Sequence, residues 1–391
     1  MKRGKQCLQA GLVVLLGAFT LSVFAAGPVE DSPRPIMHRI FKALTELLKD
    51  SLSEDDARKD PKAVQKEVAL LSDSTAELES HAQAQTVGFR LLSRSLADAV
   101  REFKYYYDAK RQEEARFFLV DLTQNCVACH TRLLSARDFP LGQRLLDSVA
   151  MQSLALQDQA QLQVAARRFH DALASWEKLF SDPLSDPVAI DAEGNLHDYL
   201  LVAIRALHDL ERPDKTLTKF LERKDLPFYL RYYIEFWLQR LQLLKHELKD
   251  EPRPYRARWL FERASQMKTF PEGQEQTVDD LVASAILYRY LDRQGKRVGL
   301  DVAEAYYLLG MIEGRTLERA WAAPPFEQHF EAAIRSAPKG PFAKRSFAIV
   351  QEYVINGFSG TEAIQRLEEL RELIGLPAEE REPPRYQVSS N

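Results

Sequence analysis

Two cysteines and a histidine lie within five residues of one another near the end of the first third of the chain. The segment Cys126-Val127-Ala128-Cys129-His130 places two thiols three positions apart and an imidazole directly after the second thiol. Thiols at this spacing can form thioether bonds to the two vinyl groups of one haem, and the histidine that follows can bind its iron. The pattern therefore predicts one covalently attached haem c, held by Cys126 and Cys129 with His130 as the proximal iron ligand.

Two plainer interpretations use the same cysteines. The pair could form a redox-active disulfide, or it could supply half of a zinc site. A zinc site needs a second ligand pair at a suitable spacing, and a thioredoxin-like dithiol needs alternating strands and helices around it. The sequence offers neither context, and the one further cysteine, Cys7, lies in the first segment of the chain. Haem attachment is therefore the favoured interpretation.

The first 26 residues have the pattern of an export signal. Lys2, Arg3 and Lys5 are basic, residues 11–24 form an apolar run, and the small residues at 25–26 suit cleavage. Haem c is attached outside the cytoplasm, so the signal agrees with the motif and predicts a periplasmic protein. The apolar run is shorter than the ~20 residues of a membrane span, and we expect no span after cleavage. An uncleaved N-terminal membrane anchor is the alternative.

The composition is that of a helical protein without a charge bias. The chain has 391 residues, with 53 basic and 57 acidic side chains and a formal net charge of −4. This balance gives no electrostatic support for a nucleic-acid partner. Only 16 glycines occur, and the residues that favour helices dominate. We expect an all-α fold.

Four segments between residues 35 and 134 have apolar residues every three or four positions, as in helices that bury one face. The second segment begins with Asp60 and Pro61, a capping residue followed by a residue suited to the first helical position. The fourth runs from about residue 113 and contains the motif. Cys126 and His130 are four positions apart, so a helix would present both on one face. The first segment contributes Met37, Ile40, Phe41, Leu44 and Leu48, the second Val64, Val68, Leu71 and Leu78, and the third Phe89, Leu92, Leu96, Val100, Phe103 and Tyr107.

This combination resembles the cytochrome c prime family and its low-spin relatives. An export signal, four helices and a single C-x-x-C-H near the end of the last helix are the shared features, over residues 27–139. The resemblance implies a four-helix haem bundle in which the sixth iron position faces the first helix. A methionine fills that position in low-spin members, so Met37 is the candidate distal ligand, although it also suits core packing. His38 and His81 are weaker candidates.

The chain after the motif is predicted to be helical from residue 140 to 375. It contains no second C-x-x-C-H, which excludes a multihaem cytochrome. Helical patterns separated by Pro or Gly turns predict a helical-hairpin domain similar to an α-solenoid. Two stretches weakly resemble the tetratricopeptide repeat: Ala165, Phe169 and Ala172 match its second helix, and Tyr306, Leu309 and Gly310 with Phe330, Ala333 and Pro338 match a helix pair. The predicted helices are 141–157, 160–180, 198–210, 217–224, 228–248, 256–267, 278–293, 302–319, 326–336, 342–356 and 362–374.

Two segments are expected to lack helices. Residues 181–195 contain four acidic residues and a glycine, which could suggest a calcium loop, but the EF-hand spacing is absent and a surface loop is favoured. Residues 376–391 are polar and Pro-rich, which is typical of a disordered tail.

One haem on one helix favours electron transfer over catalysis. An iron with both axial positions filled exchanges an electron with little rearrangement, whereas a vacant sixth position favours binding of a small gas or peroxide. A peroxidase would also need a distal acid or base, and we identify no catalytic residue. The sequence predicts a periplasmic monohaem c-type cytochrome whose helical C-terminal region docks a redox partner protein. The alternatives are a haem-based gas or redox sensor and a helical scaffold protein with an accessory haem.

Overall fold

Helices are the only regular elements in the part of the chain that the structure describes. A computed structural model describes residues 33–52, 60–132, 140–147, 151–249, 251–267, 274–316, 326–355 and 361–377, and no strand occurs within these ranges. The predicted all-α fold class is therefore confirmed. The predicted signal peptide and nearly all of the predicted C-terminal tail lie outside the described residues.

The four helices predicted around the motif are present. They are α1 (Arg34–Leu52), α2 (Pro61–Ala82), α3 (Val87–Asp108) and α4 (Gln112–Arg132). Asp60 caps α2 as predicted, because its carboxylate accepts a hydrogen bond of 3.0 Å from the backbone N–H of Lys62, and Pro61 takes the first helical position. Thr86 caps α3 in the same way, accepting from the backbone N–H of Phe89 at 3.3 Å.

These helices share an apolar core with the two that follow. Along the chain α1 packs on α2, α2 on α3 and α3 on α4, and α1 also contacts α4. The core is completed by α5 (Pro140–Asp147) and α6 (Leu156–Ala165), which supply Leu146 and Leu162. A domain boundary at residue 139 stays a prediction, since residues 133–139 lie outside the described residues. The buried members from the first four helices include Ile40, Leu44, Leu71, Val100, Leu122 and Cys126.

The remaining helices pack mainly as consecutive antiparallel pairs. The closest neighbours are α6 with α7, α12 with α13, α14 with α15, and α15 with α16, followed by α13 with α14 and α10 with α11. A second and larger core lies mainly among α6 to α15, together with Leu91 of α3 and Val127 of α4, and Trp176 and Trp237 are fully buried in it. The bounds are α7 Phe169–Ser181, α8 Pro187–Ala192, α9 Asn195–Leu201, α10 Glu211–Phe220, α11 Phe228–Leu244, α12 Pro254–Gln266, α13 Thr277–Gln294, α14 Leu300–Thr316, α15 Phe326–Ser336, α16 Pro341–Ile355 and α17 Thr361–Leu373, with a 3-10 turn at Met151–Ser153.

Two of the predicted helices were wrong because a continuous helix does not extend as far as the apolar periodicity does. The segment 141–157 is interrupted after α5, and the segment 160–180 is divided between α6 and α7. Arg167 has a φ of 60°, in the left-handed region that non-glycine residues rarely adopt, and the chain reverses there. Ala165 therefore ends α6, whereas Phe169 and Ala172 belong to α7, so these three do not share a helix as the repeat match required.

The segment 181–195 is not the uninterrupted loop that we predicted. It contains α8, which Asp186 caps by accepting a hydrogen bond of 2.9 Å from the backbone N–H of Val188, with Pro187 at the first helical position. Asp182 closes the preceding turn, accepting from the backbone N–H of Leu184 at 3.0 Å. Two of the four acidic side chains thus hold turns together.

Some helix ends and one helix type also differ from the prediction. The helix predicted at 198–210 begins earlier, at α9, and continues into a π-helical turn, Val202–Ala206, which brings Arg205 into the core. The helix predicted at 217–224 is present as α10, but it begins earlier, at Glu211, and ends earlier, at Phe220. By contrast α14 and α15 pair as the repeat-like residues require, because Gly310 leaves room for the ring of Phe330: a Cβ on Gly310 would lie 2.7 Å from it. None of the described helices is both long and apolar enough to cross a membrane.

Candidate functional site

The motif cysteines lie in the last third of α4, in largely apolar surroundings. Cys126 is 9% exposed and belongs to the core that α1 to α6 share, and Cys129 is half-buried. Both carry free thiols. Burial raises the pKa of Cys126 to about 12 and that of Cys129 to about 11, the latter against the opposing effect of Arg132 and Arg167. A redox-active dithiol depends on a lowered thiol pKa, so these surroundings do not favour that interpretation.

His130 is buried and is oriented by a backbone carbonyl of α6. Its Nδ1 lies 3.2 Å from the carbonyl oxygen of Val164, which can only accept, so Nδ1 donates the proton. Burial lowers the pKa of His130 to about 4, with Arg167 acting in the same direction and the carbonyls of Val164 and Ala165 opposing it. The imidazole is therefore neutral at pH 7, with its lone pair on Nε2.

This state of His130 is the one that an iron ligand requires. A neutral imidazole binds a metal through one nitrogen, and its other N–H commonly donates to a carbonyl that fixes the ring. Cys126 and His130 share one face of α4, with Cys129 between them in sequence. The donor set of two thiols and one oriented imidazole fits haem c.

The candidate distal ligand Met37 lies in α1, which contacts α4. Its side chain is half-buried and packs against the same apolar core as Cys126. The weaker candidates are placed differently. His38 is exposed, and His81 lies in the last turn of α2, where its ring meets that of Phe89 edge-on at 6.2 Å. Met37 therefore has the contact with the core around Cys126 that a distal ligand on α1 would need.

A buried charged cluster begins two residues after the motif, and sequence reasoning missed it. Arg132 Nη2 lies 2.7 Å from Glu313 Oε2, and Arg205 Nη2 lies 2.8 Å from Glu313 Oε1. These three side chains are only 1–2% exposed. The hydroxyl of Tyr288 is 3.1 Å from Glu313 Oε1 and 3.0 Å from His329 Nε2. We refer to Arg132, Arg205, Tyr288, Glu313 and His329 as the Arg132 cluster.

The Arg132 cluster carries more positive than negative charge. Burial raises the pKa of Glu313, but Arg132 and Arg205 outweigh this and hold it well below its usual range, so the carboxylate is ionised. Burial lowers the pKa of His329 to about 3, with Arg132 acting in the same direction, so His329 is neutral at pH 7. Two guanidinium groups thus face one carboxylate.

A second set of buried charges continues along α13. Asp279 accepts two hydrogen bonds from Arg240, at 2.9 and 3.0 Å. Asp280 pairs with Arg315 at 2.6 Å, and burial raises its pKa to about 7. Arg205 also donates from Nε to the hydroxyl of Ser284 at 2.7 Å, one turn further along α13. The ion pair between Arg132 and Glu313 therefore joins the motif helix to α14, and these further contacts extend the buried charges from there to α13 and α11.

Two further observations bound the site. Within the described ranges no group of three or more His, Cys, Asp or Glu side chains is arranged to hold a metal ion. Haem iron takes at most two protein ligands, for which His130 and Met37 are the candidates, so this observation does not bear on haem. A small cleft lies between α15, α16 and α17, with Glu331 and Arg366 among its lining residues, and none of the motif residues lines it.

The comparisons with known proteins leave the motif and its surroundings as the basis for a functional conclusion. No protein-family model, no curated protein and no solved structure matches this chain. The resemblance to the cytochrome c prime family consequently rests on Cys126, Cys129 and His130 and on the helices that carry them.

Proposed function

We propose that the protein is a periplasmic monohaem c-type cytochrome that accepts and donates single electrons. In this proposal a cytochrome c prime-like haem bundle, residues 27–139, precedes a helical-hairpin region, residues 140–375, that docks a redox partner protein. The observation that carries the proposal is the motif on α4 together with the hydrogen bond of 3.2 Å between His130 Nδ1 and the Val164 carbonyl. A helix on the protein surface would not need a buried histidine that a backbone carbonyl holds in one orientation.

Each motif residue has a distinct role. Cys126 and Cys129 would hold the macrocycle, and His130 would bind the iron through Nε2. When bound, the haem supplies an iron centre that changes its charge by one electron. The Val164 carbonyl keeps the proton on Nδ1 and makes the imidazole a stronger ligand. The buried apolar surroundings of Cys126 keep water away from the attachment point.

The first experiment is a test for covalent haem. The full chain would be produced with its own signal in a bacterium that has the haem c maturation machinery, and the periplasmic protein would be analysed by intact mass and by a reduced-minus-oxidised spectrum. We expect one haem per chain that resists acid-acetone extraction. Cys126→Ala and Cys129→Ala should each lower the haem content, and the matched control Cys7→Ala should leave it unchanged. Free thiols without added tetrapyrrole in the exported protein would refute the proposal.

The second experiment asks what fills the sixth iron position. Met37→Ala should convert low-spin iron to a high-spin form that binds carbon monoxide, because it removes the distal ligand. Met151 is a matched control, since it too is half-buried and packs against the same core. Met151→Ala should leave the spin state unchanged. Equal spectra for the two variants would exclude Met37 as the ligand.

A haem-based gas or redox sensor is the second candidate. The buried ion pair between Arg132 and Glu313 favours it, because this contact links the motif helix directly to α14, and a change at the iron could act on the C-terminal helices through it. A sensor would have high-spin iron in the wild-type protein and would bind carbon monoxide or nitric oxide readily. Low-spin iron that does not bind these gases would exclude it.

A further inference from the structure

The Arg132 cluster is more positive than folding alone explains. Arg132 is 2% exposed, and its Nε and Nη1 atoms have no hydrogen-bond partner among the described residues. Buried charges are costly to desolvate, and pairs of opposite sign offset that cost only when they are balanced. Including Asp280 and Arg315 adds one positive charge and at most one negative charge, because burial raises the pKa of Asp280 to about 7, so an excess of at least one positive charge remains.

This excess charge lies close to the predicted iron site. Arg132 follows His130 by two residues, which is about 3 Å along the axis of the same helix. The guanidinium of Arg132 acts electrostatically on the thiol of Cys129, so its charge reaches the motif. Arg167, directly after α6, acts on both Cys129 and His130 with the same sign. The charges that face the motif from α4 and from the end of α6 are therefore positive.

We propose that the Arg132 cluster stabilises the reduced state of an iron bound at His130 and so raises its reduction potential; this inference rests on the proposed function. The step is the gain of one electron by the iron, delivered by a one-electron donor protein, and no bond or proton changes place. An added electron lowers the positive charge at the iron and is favoured by a nearby uncompensated cation. Arg132 and Arg205 supply the cation, and Glu313 limits it to one net charge.

The size of the effect follows from Coulomb's law. A unit charge about 12 Å away, at an effective dielectric constant of ~20, changes the redox equilibrium about tenfold. For a one-electron couple this corresponds to about 59 mV. Arg132→Met should therefore lower the potential by up to this amount, and Glu313→Gln should raise it by a similar amount.

The direction of the Glu313→Gln shift is the decisive outcome. A variant that merely loosens the core admits water to the haem, which favours the more charged oxidised iron and lowers the potential. Loss of the Glu313 carboxylate charge should instead raise the potential. Arg132→Lys keeps the charge and should stay near the wild-type potential, whereas Arg132→Met should not.

The experiment is a spectroelectrochemical titration of the haem-loaded, full-length variants. Arg240→Met is the matched control, because Arg240 is also buried and ion-paired, but its partner Asp279 lies nine residues before Tyr288 on α13, about 13 Å further along that helix. It should shift the potential less than Arg132→Met does.

A lower or unchanged reduction potential in Glu313→Gln overturns the inference. If Glu313→Gln does not load haem, equal potentials for Arg132→Lys and Arg132→Met overturn it. A wild-type chain without haem refutes the proposed function as well, whereas a loaded chain with unmoved potentials refutes only this inference.

Discussion

The neutral, buried His329 makes the stability of the protein sensitive to acid. Its pKa of about 3 is lower than the value near 6.5 expected for the unfolded chain, so the unfolded state binds a proton more readily. The contribution of this group to stability is fully present above about pH 6.5 and is lost as the pH falls toward 3. We expect His329→Gln to remove this loss, because glutamine can still pair with Tyr288 and does not titrate.

The magnitude follows from the two pKa values. At about pH 4.5 the unfolded histidine is almost fully protonated and the folded one is not, so the wild type should lose about 3 kcal/mol relative to pH 7.5 through this group. His329→Gln should not show this loss of stability. It will still lose stability through His208, whose pKa burial lowers to about 4. The free energy of unfolding of the variant should therefore fall less steeply than that of the wild type as the pH is lowered, but it should still fall.

The assay is denaturant unfolding followed by circular dichroism between about pH 4.5 and 7.5. The matched control is His246→Gln, since His246 is exposed and its substitution should leave the pH dependence of the wild type unchanged. Cooperative unfolding must be verified at each pH, because a protein with several separate cores can unfold in steps. Parallel pH profiles for His329→Gln and the wild type would show that the pKa of His329 is not lowered in the folded protein, and the acid sensitivity would then have another source.

The remaining predictions concern packing and capping, each measured as a change in the free energy of unfolding. Gly310→Ala should destabilise by about 1–3 kcal/mol, because its Cβ would lie 2.7 Å from the Phe330 ring, and Phe330→Leu in the same chain should recover part of the loss. Asp60→Ala should cost about 1 kcal/mol, because α2 loses its capping carboxylate. Gly142→Ala should lower both stability and haem loading, because its Cβ would lie 2.1 Å from the carbonyl oxygen of Ala166, and α5 would have to move away from α6.

Matched controls separate these effects from general helix propensity. A Cβ on Gly88 would come no closer than 4.0 Å to another atom, so Gly88→Ala should be neutral or slightly stabilising. Asp73 is exposed within α2 and away from its cap, so Asp73→Ala should not reproduce the loss of Asp60→Ala. Equal effects in a control and its test variant would contradict the packing or capping argument concerned.

Local chemistry made the first four helices and the candidate site readable from the sequence. Asp60 and Pro61 define the start of α2 by capping, which depends on residues only two positions apart. Cys126, Cys129 and His130 have a spacing that acts within a single helix. Apolar periodicity then locates the helices, and it does so well wherever a helix runs for several turns, because the predicted bounds of α11, α13 and α15 agree with the structure to within a few residues.

The features that sequence reasoning missed depend on distant or unusual backbone geometry. The break between α6 and α7 occurs at Arg167, which has a left-handed backbone conformation. Such a position is usually occupied by glycine, so an arginine there gave no sequence signal of the break. Arg132 and Glu313 are separated by 181 residues, and neither residue type nor spacing connects them. The helix α8 was missed because its six residues are too few to show a period.

The burial of Cys126 has a consequence for the order of events as the protein matures. If haem is joined to this thiol, joining must come first and folding second, because in the folded protein the sulfur is enclosed and its protonated form is strongly favoured. Arg132 can form its ion pair only after the chain has been synthesised as far as Glu313. On the proposed function, haem would therefore have to be attached before α1 to α6 close their shared core around Cys126.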